Sequence, residues 1–591
     1  MKNFISSLFA NLLALIIYTT LMFVVLVGFI GVLASTAQIE KSKPMDIKAH
    51  SVLKFDINSE VCDRVTDDLQ SSLNQILNQS DPQVGLVQIT RSIEAAASDP
   101  NIDGIVLELG DDFYAGISTI DEIRKALLRF RESGKFVVSN ALNYTQGTYF
   151  LATAANRIYL NPMGELTFKG LSVRVMMYKD LLDKLGVEAT VFKCGKFKSA
   201  TEPYVQSHIS NENRLQYQMM ISDFWAYMRN VIGKSRNIDA QELNRIADGL
   251  LVEDAATAQK IGLVDQVCYS SVVEDSLKQK IGVSEINYVS LLDYMQNVRV
   301  ANGNQKVAII YAEGEIVSKA SSTATQKQFD FNMMAKAIDE VEADSAIKAV
   351  VLRVNSPGGN AITSEFIHRK IEKLKKTKPV VVSMGDYAAS GGYYIACPGS
   401  TIVANELTLT GSIGVFGLSL NMQKLLNDKL GVNCDVVKTN EHADFPSPVR
   451  KYSSRESAYM QHLVDSIYTL FKHRVSSGRS LNVDYIEQIA QGRVWTGVAA
   501  KQNGLIDCFG DLASALNIAA QMANIPVSEF GVVDYPKEKD LVSQLMEMMG
   551  TKMQMRCKSP IAEKIQSTID YISNLQPRSI QARLEQDILV Y

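Results

Sequence analysis

The chain repeats itself, and that repeat restricts its fold more than any single motif does. Starting after Phe136, VVSNALNYTQGTYFLATAANRIYL aligns with VVSMGDYAASGGYYIACPGSTIVA from Val381, pairing Gly147 with Gly391 and Tyr149 with Tyr393 at an offset of 244. Within a few residues of that offset, GIVLELG near Gly104 pairs with AVVLRVN near Ala349, GVEATVFK from Gly186 with GVNCDVVK from Gly431, and IGLVD from Ile261 with NGLID from Asn503. A duplication of this length calls for two tandem copies of one architecture. Each copy alternates short apolar runs, such as 105–109, 350–354 and 380–382, with amphipathic stretches such as IDEIRKALLRFRES and SEFIHRKIEKLKK. That alternation predicts βα units around mostly parallel, covered sheets, so the fold class is α/β. The polar ANGNQ around Asn302 separates the halves, which gives domains at 48–300 and 305–535. Residues 536–591, rich in Met, Lys and Gln at helical spacing, are expected to be a peripheral helical tail without chemistry.

Ahead of the repeat, no charge occurs between Lys2 and Glu40. A membrane-spanning helix needs about 20 apolar residues, and the apolar core of a cleavable signal has about 7–15, so residues 1–39 are expected to be a single transmembrane anchor. Ser35-Thr36-Ala37 resembles a small-residue cleavage site and keeps a cleaved segment as the alternative. Lys2 lies before the run and Lys41, Lys43 and Lys48 after it, so charge does not decide the orientation. The 60 basic against 64 acidic residues leave a net charge of −4, without the positive field that nucleic-acid binding requires. The seven cysteines are scattered singly and the six histidines show no zinc-ligand spacing, so neither metal nor cofactor is expected.

Chemistry concentrates in the second half. The strand-like VVLRV leads into Asn355-Ser356-Pro357-Gly358-Gly359-Asn360, where paired glycines allow backbone amides to approach a developing oxyanion; a tight turn before a helix explains the same residues. Further on, Ser390 stands among small residues at the start of a helix. There its hydroxyl is presented and the Gly391 amide is available to an oxyanion, although a plain helix cap has the same pattern. The first half carries Gln146 where the second has Ser390, and Asp112-Phe113 in the region of Gly358-Gly359. It holds Lys198 within GKFKSATEP, however, where the second half has Ala443. One copy thus offers a serine and the other a lysine for a single site. A lysine amine serves as base only if desolvation or nearby positive charge, such as that of Lys193 and Lys196, leaves it partly neutral. A solvated basic face is the alternative reading of Lys198. In LTGSIG, Ser412 offers a hydroxyl to orient that amine, or belongs to an ordinary glycine-bounded turn.

At NSPGG, ASGGYY, LTGSIGV and GKFKSATEP the chain resembles the signal peptide peptidase A (protease IV) family in its long form, over roughly residues 50–530 and with the N-terminal anchor. The resemblance implies a ClpP/crotonase-like fold in each half and a Ser–Lys dyad, with Ser390 as nucleophile and Lys198 as general base. It also implies an oxyanion hole at Gly358, Gly359 and Gly391. Family members are membrane-bound serine endopeptidases that degrade the hydrophobic signal peptides left in the membrane, and they assemble as bowl-shaped homotetramers. By the same resemblance the chain sits in a bacterial inner membrane with its body in the periplasm. Three other readings compete: a Ser–His–Asp site using His442, a crotonase-type acyl-CoA enzyme, and an inactive membrane-anchored scaffold.

Overall fold

The structure is a computed structural model that describes residues 46–65, 83–110, 112–295, 303–321, 326–526, 530–537 and 580–583, with isolated positions between 11 and 22 and at 298 and 324. Most of the expected anchor lies outside the described residues. Among those described, no helix is long and apolar enough to cross a membrane.

The duplication reappears as strand order. In the first half, β1 (Ser51–Phe55), β4 (Ile102–Leu107), β5 (Phe136–Ala141), β6 (Arg157–Leu160), β8 (Gln266–Val267) and β9 (Asn287–Ser290) form an all-parallel sheet ordered β8-β6-β5-β4-β1-β9. In the second, β10 (Lys306–Glu313), β13 (Ile347–Ser356), β15 (Val380–Ala389), β16 (Thr401–Ala404), β20 (Cys508–Phe509) and β21 (Gly531–Tyr535) repeat it as β20-β16-β15-β13-β10-β21. The far end of β15 turns instead onto β17 (Leu409–Gly411), which β19 (Val494–Thr496) joins antiparallel. These strands are near-continuous apolar runs because helices cover both faces: within IKAVVLRVNS of β13 only Lys348 is exposed. Each half also carries a 26-residue helix, Asn211–Arg236 and Ser454–Arg479, capped by Ser210 and Ser453. A small parallel pair, β2 (Glu60–Cys62) with β3 (Gln83–Gly85), lies apart from the main sheets.

A third sheet joins the halves. It consists of β11 (Glu315–Ile316), β12 (Gln328–Phe329), β14 (Gly358–Asn360), β18 (Val415–Asn421), β7 (Glu188–Cys194) and β22 (Gln581–Arg583), in the order β12-β11-β14-β22-β18-β7. β7 is a first-half strand, yet it pairs antiparallel along all of β18 from the second half. Of the helical tail expected at 536–591, residues 538–579 and 584–591 lie outside the described residues, and 581–583 form a strand instead. They lie as a strand between β14 and β18, where two open edges offer backbone partners that local helical spacing cannot supply.

Buried charge clamps the halves together. The fully buried Arg353 guanidinium of β13 donates to Asp63 Oδ1 at 2.9 and 3.0 Å, to Glu122 Oε1 at 2.9 Å and to Ser383 Oγ at 2.9 Å. With one cation against two carboxylates, burial prevails over the Arg353 charge and pushes the Glu122 carboxyl up to about 7. Four residues before Ser390, Asp386 accepts from Ser118 N at 2.8 Å, Thr119 N at 3.0 Å and Thr119 Oγ1 at 2.5 Å, so β15 caps the first-half helix Ile117–Glu132.

Two outcomes follow from this clamp. Arg353→Met leaves two buried carboxylates without their cation and is expected to cost about 3–5 kcal/mol in urea unfolding. Because the Glu122 carboxyl titrates above its ordinary value of 4.5 in the folded chain, its contribution to stability is present below that value and is lost as pH rises through about 7. Glu122→Gln is therefore expected to flatten that part of the profile of Tm against pH.

Candidate active site

Strand β15 ends in a strained turn. Ser390 has φ 55° and ψ −113°, a conformation that costs a non-glycine residue about 1–3 kcal/mol and is held where the surroundings over-determine it. Its amide donates to Gly411 O at 2.8 Å, and the short helix Gly391–Ala396 follows directly. That helix sits hard on β13: a Cβ on Gly392 would stand 2.6 Å from Ser356 O. The Ser390 side chain makes no capping bond to the helix, so the plain cap reading fails. The hydroxyl points instead at a lysine.

Lys198 is 1% exposed and Ser390 0%, which excludes the solvated basic face as a reading of the lysine. Lys198 Nζ lies 2.8 Å from Ser390 Oγ, 3.0 Å from Ser412 Oγ and 3.3 Å from Ser412 O. β7 delivers the lysine by pairing with β18, and the chain then turns at Gly195. Three expected residues, Ser390, Lys198 and Ser412, therefore meet in one buried place, drawn from both halves. Lys193 and Lys196 do not join them. Lys193 Nζ reaches Lys198 O at 3.4 Å, and Lys196 Nζ lies 5.6 Å from the centre of the Phe197 ring. His442 Nδ1 bonds Glu456 Oε1 at 3.1 Å, on a segment that is largely exposed.

The glycine strand β14 follows β13 after Pro357. Gly359 has φ 152°, and a Cβ there would stand 2.0 Å from Ile316 O, so only glycine fits against β11. Gly358 N donates to Ser356 Oγ at 3.2 Å. Gly391 follows Ser390 directly and opens the short helix, with Gly358 and Gly359 on the neighbouring strand.

The seat of the lysine was not read from the sequence. Phe197 N donates to Gln491 O at 2.9 Å, and Ser412 N to Arg493 O at 2.7 Å. Between them Gly492, at φ 76°, lies so close that a Cβ would stand 2.7 Å from Lys198 N. The segment 491–493 thus supports both the lysine loop and its serine partner. QGR has no chemical signature, and only the turn-forming glycine was visible in it.

In the first half, the position equivalent to Ser390 is a tether. Gln146 Oε1 accepts from Lys169 N at 3.0 Å and Gly170 N at 2.9 Å, and its Nε2 donates to Gly170 O at 3.0 Å. Its side chain fastens 169–170, which the offset of 244 carries to 413–414, where Gly414 O lies 3.5 Å from Ser390 Oγ.

The sequence model for peptidase family S49 matches residues 129–284 and again 372–526, once in each half. The chain belongs to peptidase family S49. It is 35% identical over 564 residues to "Protease 4" of Salmonella typhi, covering 93% of this chain and 88% of that protein. It is 32% identical to "Protease 4" of Haemophilus influenzae, over 85% of this chain and 84% of the relative. A plant relative, "Serine protease SPPA, chloroplastic" of Arabidopsis thaliana, is 30% identical over 82% of this chain and 71% of its own length. The expected family, signal peptide peptidase A or protease IV, is therefore the one to which this S49 chain belongs, and its reaction class is serine peptidase rather than acyl-CoA chemistry.

The close approach at Gly492 yields a controlled comparison. Gly492→Ala is expected to displace Lys198 and lower peptidase activity by at least about 100-fold. Gly504→Ala has the same kind of backbone, φ 73°, but its Cβ would meet only the Leu481 side chain at 3.5 Å. That variant is expected to keep its activity and to lose about 1–2 kcal/mol of stability.

Proposed function

We propose that this S49 chain is a serine endopeptidase with a Ser390–Lys198 dyad, acting on hydrophobic peptides of the signal-peptide kind at a membrane surface. The reading rests on one observation above the others, the 2.8 Å contact between two buried side chains donated by different halves. Burial of an amine penalises its ammonium form, which is the condition a general-base lysine needs.

In this mechanism the Lys198 amine takes the Ser390 proton as Oγ attacks the scissile carbonyl. The oxyanion lies against the Gly391 amide and those of Gly358 and Gly359, with the Gly358 amide leaving its 3.2 Å bond to Ser356 for the stronger acceptor. The Lys198 ammonium then protonates the leaving amine, and the same amine activates water to release the acyl-enzyme. Ser412, bonded through Oγ and O, orients the amine throughout. Both the ClpP/crotonase-like description of each half and the oxyanion role of the glycines belong to this proposal.

An extended peptide suits the slot between β14 and β18. Residues of the chain's own C-terminal segment already lie there, with Arg583 opposite Gly358, Ala582 opposite Gly359 and Gln581 opposite both Asn360 and Phe416. A substrate bound in the same way pairs its backbone with two edges and leaves side chains for the walls to select. Anchoring through residues 1–39 in a bacterial inner membrane, a periplasmic body and assembly as a homotetramer complete the proposal. An inactive scaffold has no need to keep Ser390, Lys198 and the glycines in complementary halves.

The test is hydrolysis of a hydrophobic peptide ester by the full chain in mild detergent. Ser390→Ala and Lys198→Ala are each expected to lower kcat by about 1,000-fold or more. The wild-type rate is expected to rise with an apparent pKa below the ordinary lysine value of about 10.4. Full activity of Lys198→Ala would overturn the dyad. Ending the chain at residue 579 is expected to lower KM several-fold while kcat stays within about twofold, because the slot no longer has an internal occupant. An unchanged KM would separate 581–583 from the substrate site.

A further inference from the structure

Among the described residues the duplication leaves one strand and one edge without sheet partners, and the two match. Within the chain β7 lies on β18 with Glu188 opposite Asn421 and Cys194 opposite Val415. At an offset of 245, KDLLDKLGVEATVFK from Lys179 aligns without a gap with KLLNDKLGVNCDVVK from Lys424. The same offset places the second-half counterpart of β7 at 433–439 and the first-half counterpart of β18 at 170–176. Neither segment belongs to a sheet.

Their surfaces are those of an unmade pair. Residues 432–438 belong to no helix or strand and are exposed throughout, with Val437 at 102%. On the other segment, Leu171, Val173 and Val175 pack one face against the first-half core while Met176 remains 57% exposed. Gln146 holds the amide and carbonyl of Gly170, but from Leu171 to Met176 the backbone makes no hydrogen bond among the described residues, and such an edge is a template for an added strand. Transferring the β7–β18 register by the offset sets Arg174 opposite Asp435, Val173 opposite Val436 and Val175 opposite Cys434. Opposite charges then face each other, and the apolar side chains share one face.

We infer that residues 433–439 of one copy add as an antiparallel strand to residues 170–176 of a second copy, in the register that sets Arg174 against Asp435. Every copy presents one strand and one edge on different surfaces, so the contact is head-to-tail and a closed ring uses both. The inference rests on the homo-oligomer reading above and not on the dyad.

Sedimentation of the full chain in mild detergent tests it. Arg174→Asp and Asp435→Arg are each expected to weaken assembly at least tenfold, and the double exchange to restore it. Val175→Cys is expected to form an intermolecular disulfide with the native Cys434 under mild oxidation, giving multimers on a non-reducing gel, whereas Leu171→Cys, four residues away, does not. A monomeric wild type would overturn both the oligomer and this contact. An oligomer that is indifferent to both charge reversals and gives no Val175→Cys crosslink would overturn the contact alone.

Discussion

A lysine amine rests against a serine hydroxyl in a site closed to water, and the rest of the structure is arranged around that contact. The amine is costly to bury as an ammonium and useful as a base only when neutral, so both its placement and its exclusion from solvent matter. Neither half supplies both. The second half has the strained Ser390 turn and the glycine strand β14, while the lysine arrives on β7, which leaves its own half to complete the neighbouring sheet. Gly492 and Ser412 then fix where the amine stops.

The duplication explains how such a division is held. Two sheets of identical strand order provide matching frames, and the buried Arg353–Asp63–Glu122 cluster and the Asp386 cap lock their relative position. In the first half, Gln146 uses its amide to fasten the neighbouring backbone where the second half has the Ser390 hydroxyl. One copy holds the strained serine turn, and the other holds a glutamine tether at the equivalent position.

Much of this was legible in the sequence because repeats and glycine-flanked motifs are local patterns. The offset between the halves, the α/β alternation, and the serine in one copy with the lysine in the other could all be read directly. The Gln491–Gly492–Arg493 seat could not, since its importance comes from a backbone approach between segments nearly 300 residues apart. The Arg353 cluster escaped for the same reason, as its two carboxylates come from distant loops and helices of the other half. The tail strand at 581–583 was misread because helical spacing is a local preference, and two open sheet edges outweighed it.

The central claim is that Ser390 is a nucleophile made reactive by Lys198, and covalent labelling addresses it most directly. The full chain would be treated with a fluorophosphonate and the adduct located by mass spectrometry, for wild type and for Lys198→Met. The account predicts a single adduct on Ser390 in wild type and none in Lys198→Met. An adduct on another residue, or undiminished labelling of Lys198→Met, would contradict it.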